Sequence, residues 1–533
     1  MSWVQNHKVH FQEEHIMRIT NKMMTNNMLY NINTNKNTMD KLEQKYSTGL
    51  AIQKPSDDPI IAVRALKLRT NLSELNQYYE KNIPDALSWM ESTESALKVA
   101  SEIITQVHTY CVQGAQDTLT EKDRNSIATN FMQLKNQMYQ EGNANYAGRY
   151  LFTGYKTNTS LVFSDESMDT CYTITETIKA EDLQIVRRVI DTCDLSEFNI
   201  DDAENFDTET RPSEQVVYRL RLSYGDLKRI DDGASLQMKI PQKDENGNYV
   251  YDEDGILQYD EEYDDGDMNV YDSSNPLAYK PDDDEINYTE DTGEIILGAE
   301  VYQKLRYSDF EITYDKDSFK KNELRPEHYF QCVARDMTIE DEDEREAKAI
   351  HYEIEDQQIK YEINFNQKLT VNVQGRDAFT HAFGRTLDDI ATAVDAVVKL
   401  DNQMKELKKQ LDDDRLSEEQ VAKINEILDI LKTEFDLKSG IMREAFEKGL
   451  TGMDNEENRV NRTTADIGTR YNRAELTQDR LSTQQTEFTD LLSQNEDADL
   501  VDTVVNYNAM NTVYNASLSA AAKVVKNTLL DFL

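Results

Sequence analysis

The stretch PDALSWMESTESALKVASEIITQVHTYC, residues 84–111, decides the fold. Ala86, Met90, Thr93, Leu97, Ala100, Ile104, Val107 and Cys111 recur at alternating steps of four and three, and only Thr93 among them is not apolar. That spacing keeps one apolar stripe on one side of an α-helix from end to end, in the heptad manner of a coiled-coil seam. A stripe this long must be covered by another helix. The low counts of 8 Pro and 18 Gly in 533 residues leave room for such helices. Hydrophobic residues make up 38% of the chain, enough for a buried core, and its length suggests about two to four domains.

Working outward, residues 59–75 carry Ile61, Ala65, Leu68, Leu72 and Leu75 at the same spacing. Asp58 is placed to cap this helix and Pro59 to be its first residue. Earlier, Met28, Ile32, Asn35, Met39, Leu42 and Tyr46 form another helical row, and Gly49 suits the left-handed position past its end. Pro84 is expected to open the helix of the deciding stretch. A fourth helix comes after Thr120, with Ile127, Phe131, Leu134 and Met138 on one face, and ends near the glycines of residues 142–163.

The helical period returns from about Asp377. Leu387, Ile390, Val394, Val397 and Met404 mark one helix, and no Pro occurs after Pro326. Ser417-Glu418-Glu419-Gln420 reads as a capping box, leading into Val421, Ile424, Ile427, Leu428 and Leu431. A later seam runs through Ile467, Tyr471, Ala474, Leu481, Phe488 and Leu492, with Gln478 and Gln485 in the row. The last helix has Leu500, Val504, Tyr507, Tyr514, Leu518, Ala521, Val525 and Phe532 in one row, interrupted by Asn511 and Thr528.

Between the helical arms the texture changes. Residues 161–376 are rich in Tyr, Thr, Val and Ile in short runs between turns, with hairpin dipeptides at Asn246-Gly247, Asp254-Gly255 and Asp265-Gly266. YTEDTGEIIL, 288–297, reads as two strands around a turn, and YEINFNQKLTVNV, 361–373, alternates as strands do. The fold class is therefore mainly α with an inserted β domain, the N- and C-terminal helical arms packing as a coiled-coil-like bundle.

The expected division is a non-native extension at 1–16, terminal assembly helices at 17–58 with 500–533, a helical bundle at 59–160 with 377–499, and the acidic β-rich insertion at 161–376. Met28, Ile32, Met39, Leu42, Tyr46 and the row from Leu500 to Phe532 are the expected assembly seams. Ile61, Leu68, Leu72, Met90, Leu97, Ile104, Val107, Tyr471, Leu481, Phe488 and Leu492 are the expected bundle core. Both ends are mildly apolar and rich in Asn, Thr and Ala. Helices of that kind are marginal alone, so the ends are expected to order only when subunits stack. Residues 1–16 hold three of the seven His and one of the two Trp, unlike the rest of the chain, and translation is expected to start at Met17.

The formal net charge of −43 sets the chain against nucleic-acid phosphates and anionic lipid, so neither nucleic acid nor membrane is an expected partner. No run of 18 apolar residues is present, and the chain does not open on a Sec-type signal pattern. Cys111, Cys171, Cys193 and Cys332 are scattered without zinc-type spacing and read as free thiols, with a Cys171–Cys193 disulfide as the alternative. His328, His351 and His381 are isolated, and no HExxH, GxSxG, P-loop or GxGxxG motif occurs. No enzyme activity, catalytic residue, metal site or cofactor is expected. From Asp244 to Tyr279 there are twelve acidic residues and no Lys or Arg. They miss the alternating-ligand register of a calcium loop and read as a solvated acidic surface.

Several segments carry a family likeness: MRITNKMM at 17–24, YSTGLAIQKPSDDP at 46–59, ALSWMESTESAL at 86–97, GRYLFTGYKTNT at 148–159, the run at 467–500 and the terminal LLDFL. Together they resemble the flagellin family, in its hook–filament junction branch, the hook-associated protein 3 type. The likeness covers roughly residues 17–163 and 377–533. It implies a structural subunit of the bacterial flagellum, exported by the flagellar type III system and secreted to the hook–filament junction. The implied partners are the chain itself in a ring, hook-associated protein 1, flagellin and a flagellar export chaperone. The alternative is flagellin itself, the bulk filament subunit; a weaker one is an outward-facing adhesive or recognition role for the insertion.

Overall fold

The computed structural model describes residues 21–526 apart from 117–118, 194, 196–197, 200–205, 207, 209–210, 228–235, 243–248, 251–257, 265–266, 308 and 412–416. The extension at 1–16, Met17, Phe532, the three hairpin dipeptides and much of the acidic run lie outside the described residues. The chain divides into two units, residues 1–82 with 477–533 and residues 83–476. The divisions fall at 82/83 and 476/477, not at the expected 58/59 and 499/500. The break at Asp58-Pro59 separates two helices of one unit rather than two units.

In the first unit, helix α1 (Asn21–Thr48) packs along a terminal helix, Leu500–Lys526. Gly49 closes α1 with φ +72°, a conformation in which a Cβ would be strained, and its N–H donates to Lys45 O at 2.9 Å. Ala498 N donates to Gly49 O at 2.8 Å and Asn35 Nδ2 to Ser517 Oγ at 3.0 Å, so the two helices run antiparallel. The ends expected to stay unordered before stacking are thus helical within one chain. Each half-covers the other's row, a burial that an isolated helix lacks.

The loop before α2 (Pro59–Gln77) is built by two acids. Asp57 accepts from the N–H groups of Gln53 and Lys54, and these bonds hold its carboxyl below the usual range. Asp58 accepts from Ile60 N at 2.9 Å and Ile61 N at 3.1 Å, capping the helix with Pro59 in its first turn. A π-helical turn, Tyr78–Asn82, continues directly from α2, so Pro84 does not open a new helix. The wider turn accommodates a ring that lacks an N–H.

In the second unit, the deciding stretch lies in α3 (Ile83–Gly114). Ile83, Met90, Leu97, Ile104 and Cys111 form one seven-residue row and Ala86, Thr93, Ala100, Val107 and Gly114 another, all buried. Helix α4 (Glu121–Glu141) opens on a capping box between Thr120 and Asp123. After the insertion come α7 (His381–Leu411) and α8 (Glu418–Glu496), with α9 naming the terminal helix at 500–526. The seams read separately at 421–431 and 467–492 belong to this one helix of 79 residues. Ser417 and Gln420 cap it reciprocally.

The buried side chains of α8 in this unit include Phe446, Met453, Val460, Ile467 and Ala474, again seven apart. They answer the rows of α3. A Cβ on Gly114 would sit 2.2 Å from the Phe446 ring, which is why the small residue stands there. Leu400, Met404 and Leu407 of α7 and Ile424, Ile427 and Leu431 of α8 make a second core, covered by Cys193, Leu195, Phe198 and Phe206.

The insertion is a pair of sheets. One has the order β4 (Gln184–Ile190), β5 (Ser213–Arg221), β10 (Glu294–Leu297), β9 (Ile286–Thr289), β8 (Met268–Tyr271). The other runs β13 (Ile350–Tyr352), β12 (Gln331–Asp336), β3 (Thr170–Ile178), β11 (Phe310–Lys316), β6 (Leu236–Pro241), β7 (Tyr259–Asp264). Ile174, Leu220, Ile295, Ile312 and Tyr314 share one core between them. The reading of 288–297 as two strands holds, with Gly293 at φ +65° in the turn. Short hairpins β1–β2 (Asn145–Tyr146, Arg149–Tyr150) and β14–β15 (Lys360–Asn364, Gln367–Thr370) complete the described strands. No disulfide joins any two of the four cysteines.

Within this unit ion pairs tie the sheets to the bundle. Arg219 of β5 bonds Glu294 of β10 at 2.6 Å and Asp389 of α7 at 2.7 Å. Arg221 pairs with the same Asp389, and Arg188 reaches Glu294 at 3.0 Å. Burial opposes the charge on Glu294, but Arg188, Arg219 and Arg221 outweigh it and bring the carboxyl down to about 2. The edge strand β4 is held by Lys448 of α8, whose Nζ donates to Ile185 O at 3.2 Å, and by an Arg187–Glu444 pair at 2.6 Å.

Candidate assembly surface

The first unit is thin. In α1 the half-buried positions include Met28, Ile32, Asn35, Met39 and Leu42, the row read from the sequence; Tyr46 is exposed. In α9 the covered row is Thr503, Tyr507, Met510, Tyr514, Ser517 and Ala521. It shares Tyr507, Tyr514 and Ala521 with the expected row. Leu500, Val504 and Leu518 instead lie exposed, and the side chain of Val525 is outside the described residues. Steps of four and three can be joined through either neighbour of Tyr507 and Tyr514. Pairing with α1 takes the smaller and more polar choice inward at Thr503 and Ser517, and Met510 rather than Asn511 between them.

Helix α2 turns Ala62, Ala65 and Leu75 inward against the last turns of α8. Arg69 bonds Glu496 at 2.6 Å, Asn495 Nδ2 donates to Ile61 O at 3.2 Å, and Gln485 Nε2 donates to Asn76 Oδ1 at 2.9 Å. Ile61, Leu68, Leu72, Phe488 and Leu492 are half-buried here and Leu481 is buried. In the second unit Met90, Leu97, Ile104 and Val107 are fully buried, and Tyr471 is half-buried.

What this leaves outside matters more than what it covers. More than half of the exposed large apolar side chains among the described residues sit in the first unit, which holds about a quarter of those residues. They include Met23, Met24, Leu29 and Tyr30 of α1, Ile60, Val63 and Leu66 of α2, and Val501, Val505 and Val513 of α9. None of these belongs to a heptad row, so sequence reasoning misses them. Their signal is present all the same, since α2 and α9 are apolar on more than one face. This concentration of exposed apolar side chains makes the first unit the candidate interaction surface.

The isolated histidines do not form a site. His328 is pushed down to about 4, chiefly by burial, with a ring nitrogen 3.2 Å from Ser160 O. His381 packs among Tyr224, Tyr329 and Phe330, and His351 lies exposed on β13. Among the described residues no group of three or more His, Cys, Asp and Glu is placed to hold a metal ion, and no helix is long and apolar enough to cross a membrane.

Residues 19–157 match the model of the bacterial flagellin N-terminal helical region, and residues 450–533 that of the C-terminal helical region. A flagellin of Clostridium tyrobutyricum is 34% identical over 122 residues, covering 23% of this chain and 32% of that protein. Flagellar hook-associated protein 3 of Escherichia coli (strain K12) is 32% identical over 151 residues, covering 28% of this chain and 47% of that protein. The chain thus spans 32% and 47% of the length of these curated relatives. The flagellar junction protein FlgL of Legionella pneumophila aligns in structure at 12% identity and TM-score 0.25, over 78% of this chain and 99% of that one. The helices that carry the exposed apolar surface fall within the two regions that match the flagellin-type models, and it is over these two regions that the chain is similar to flagellin.

Proposed function

We propose that this protein is a structural subunit of the bacterial flagellum that joins hook to filament as a ring of self-associating copies. The observation that carries the reading is the apolar surface left open on α1, α2 and α9, within the flagellin-type regions. The likeness to hook-associated protein 3 supports the junction role. In this reading the chain is secreted through the flagellar type III system after release from an export chaperone. It meets hook-associated protein 1 on one side and flagellin on the other, and it carries no catalytic site.

The similarity to a Clostridium tyrobutyricum flagellin supports a second reading, the bulk filament subunit. Deleting the gene separates the two. The junction role predicts cells without filaments and with flagellin released into the medium. Loss of the filament's main protein from cells and medium alike would overturn it in favour of the second.

A further inference from the structure

Helix α2 has two faces. Ala62, Ala65 and Leu75 turn inward, while Ile60, Val63, Arg64, Leu66 and Lys67 stand exposed. Ile60 is 74% exposed, Val63 55% and Leu66 59%, a run of apolar side chains that nothing in the described chain covers. Residues 59–82 hold four basic and two acidic residues in a chain of net charge −43. The other arm of the same unit shows the opposite pattern. Residues 487–505 hold six acidic residues and no basic one, and their exposed apolar side chains are Leu491, Leu500, Val501, Val504 and Val505.

Arg64, Lys67, Glu487 and Asp490 are all exposed, and none makes an ion pair with the described residues of its own chain. Each segment thus carries exposed apolar side chains together with exposed charge, and the sign of that charge is opposite on the two arms. An apolar patch beside charge of one sign selects a partner patch beside charge of the other, because like charges brought together there are costly.

We propose that the outward face of α2 docks residues 487–505 of a second copy of this chain. The contact is heterologous, one arm of one copy on the other arm of the next, the geometry that builds rings or filaments rather than closed pairs. It rests on the self-assembly reading above and names the faces that would meet.

The test uses the full chain in sedimentation velocity over a concentration series. Arg64→Glu with Lys67→Glu should weaken self-association by about tenfold or more, and Glu487→Lys with Asp490→Lys should do the same. The variant carrying all four changes swaps both faces and should recover to within about threefold of the unchanged chain. Unchanged association in either pair, no recovery in the fourfold variant, or a wild-type chain that stays monomeric overturns the proposal.

Circular dichroism and melting temperature should not move in any variant, since these side chains are exposed and unpaired. If a reversed chain does fail to fold, an uncharged arm decides. A Val63→Cys chain mixed with a Val501→Cys chain should give a bismaleimide-linked heterodimer absent from either alone, and its absence overturns the docking. The position of the unchanged protein on isolated flagella, seen by labelled antibody, is scored separately. It can fail while the arms still bind, which would remove the junction reading and leave the contact.

Discussion

Helices α1 and α3 carry rows of the same four-three spacing, and the fold treats them in opposite ways. Ile104 and Leu97 of α3 are fully buried, whereas Ile32 and Met39 of α1 are half-buried against a single partner. The difference lies in the number of neighbours, not in the rows. The α3 rows meet α8, α4 and the β1–β2 hairpin: Phe446 presses on Gly114, α3 packs with α4, and Trp89 stands edge-on to Tyr146 with ring centroids 6.1 Å apart. The α1 row meets α9. A heptad row therefore states that something must cover it, and the rest of the chain decides whether the cover is internal.

The comparison is broken most strongly from the second unit's side. Glu294→Ala removes the buried carboxylate that Arg188 and Arg219 share and leaves Arg219 to Asp389 alone. Breaking a buried pair by removing one partner costs about 3–5 kcal/mol, read as a lower denaturation midpoint of the second unit. Ile104→Ala should cost about 2–5 kcal/mol in the same measurement, because it opens a cavity in a fully packed row. Neither change touches the first unit's own contacts, so proteolysis of its helices should follow the wild-type course until the second unit melts.

Acid sharpens the contrast. The Glu294 carboxyl sits at about 2, below its ordinary value of 4.5, so the folded state holds it ionised where the unfolded chain would protonate it. The stability this contributes is present above the unfolded value and is lost as pH falls through about 2. Melting of the second unit followed from about pH 5 to about pH 2 should therefore steepen in its decline. The decline should be shallower in Glu294→Gln, which has no charge to lose. An unchanged slope would remove Glu294 from the acid response.

Much of this fold is legible in the sequence because local signals agree with the final packing. Gly49, Asp58, Pro59 and Ser417 each stand where their backbone chemistry requires. The α1 and α3 rows are plain, since each has one choice of apolar neighbour at nearly every turn. The α9 row is not, because Val504 and Leu518 are more apolar than the adjacent Thr503 and Ser517 that are covered, and pairing overrides that preference. The ion cluster is out of reach: Arg219, Glu294 and Asp389 are far apart in sequence, and only the tertiary fold brings them together. The exposed face of α2 is visible in Ile60, Val63 and Leu66, which stand off the helix's heptad row.

The smallest effect on stability is the most telling for the comparison. Leu29 is 55% exposed on α1 and touches neither of the ion networks described above. Leu29→Ser should shift the chain's own stability by no more than about 0.5 kcal/mol, the range of surface substitutions away from special features. If the first unit's apolar surface is an assembly surface, the same change should lower self-association in sedimentation while melting stays put. Ile104→Ala should do the reverse, lowering the melt and leaving association intact at temperatures where the chain is folded. Should Leu29→Ser destabilise the monomer as Ile104→Ala does, α1 is covered from within after all, and the two rows differ in degree only.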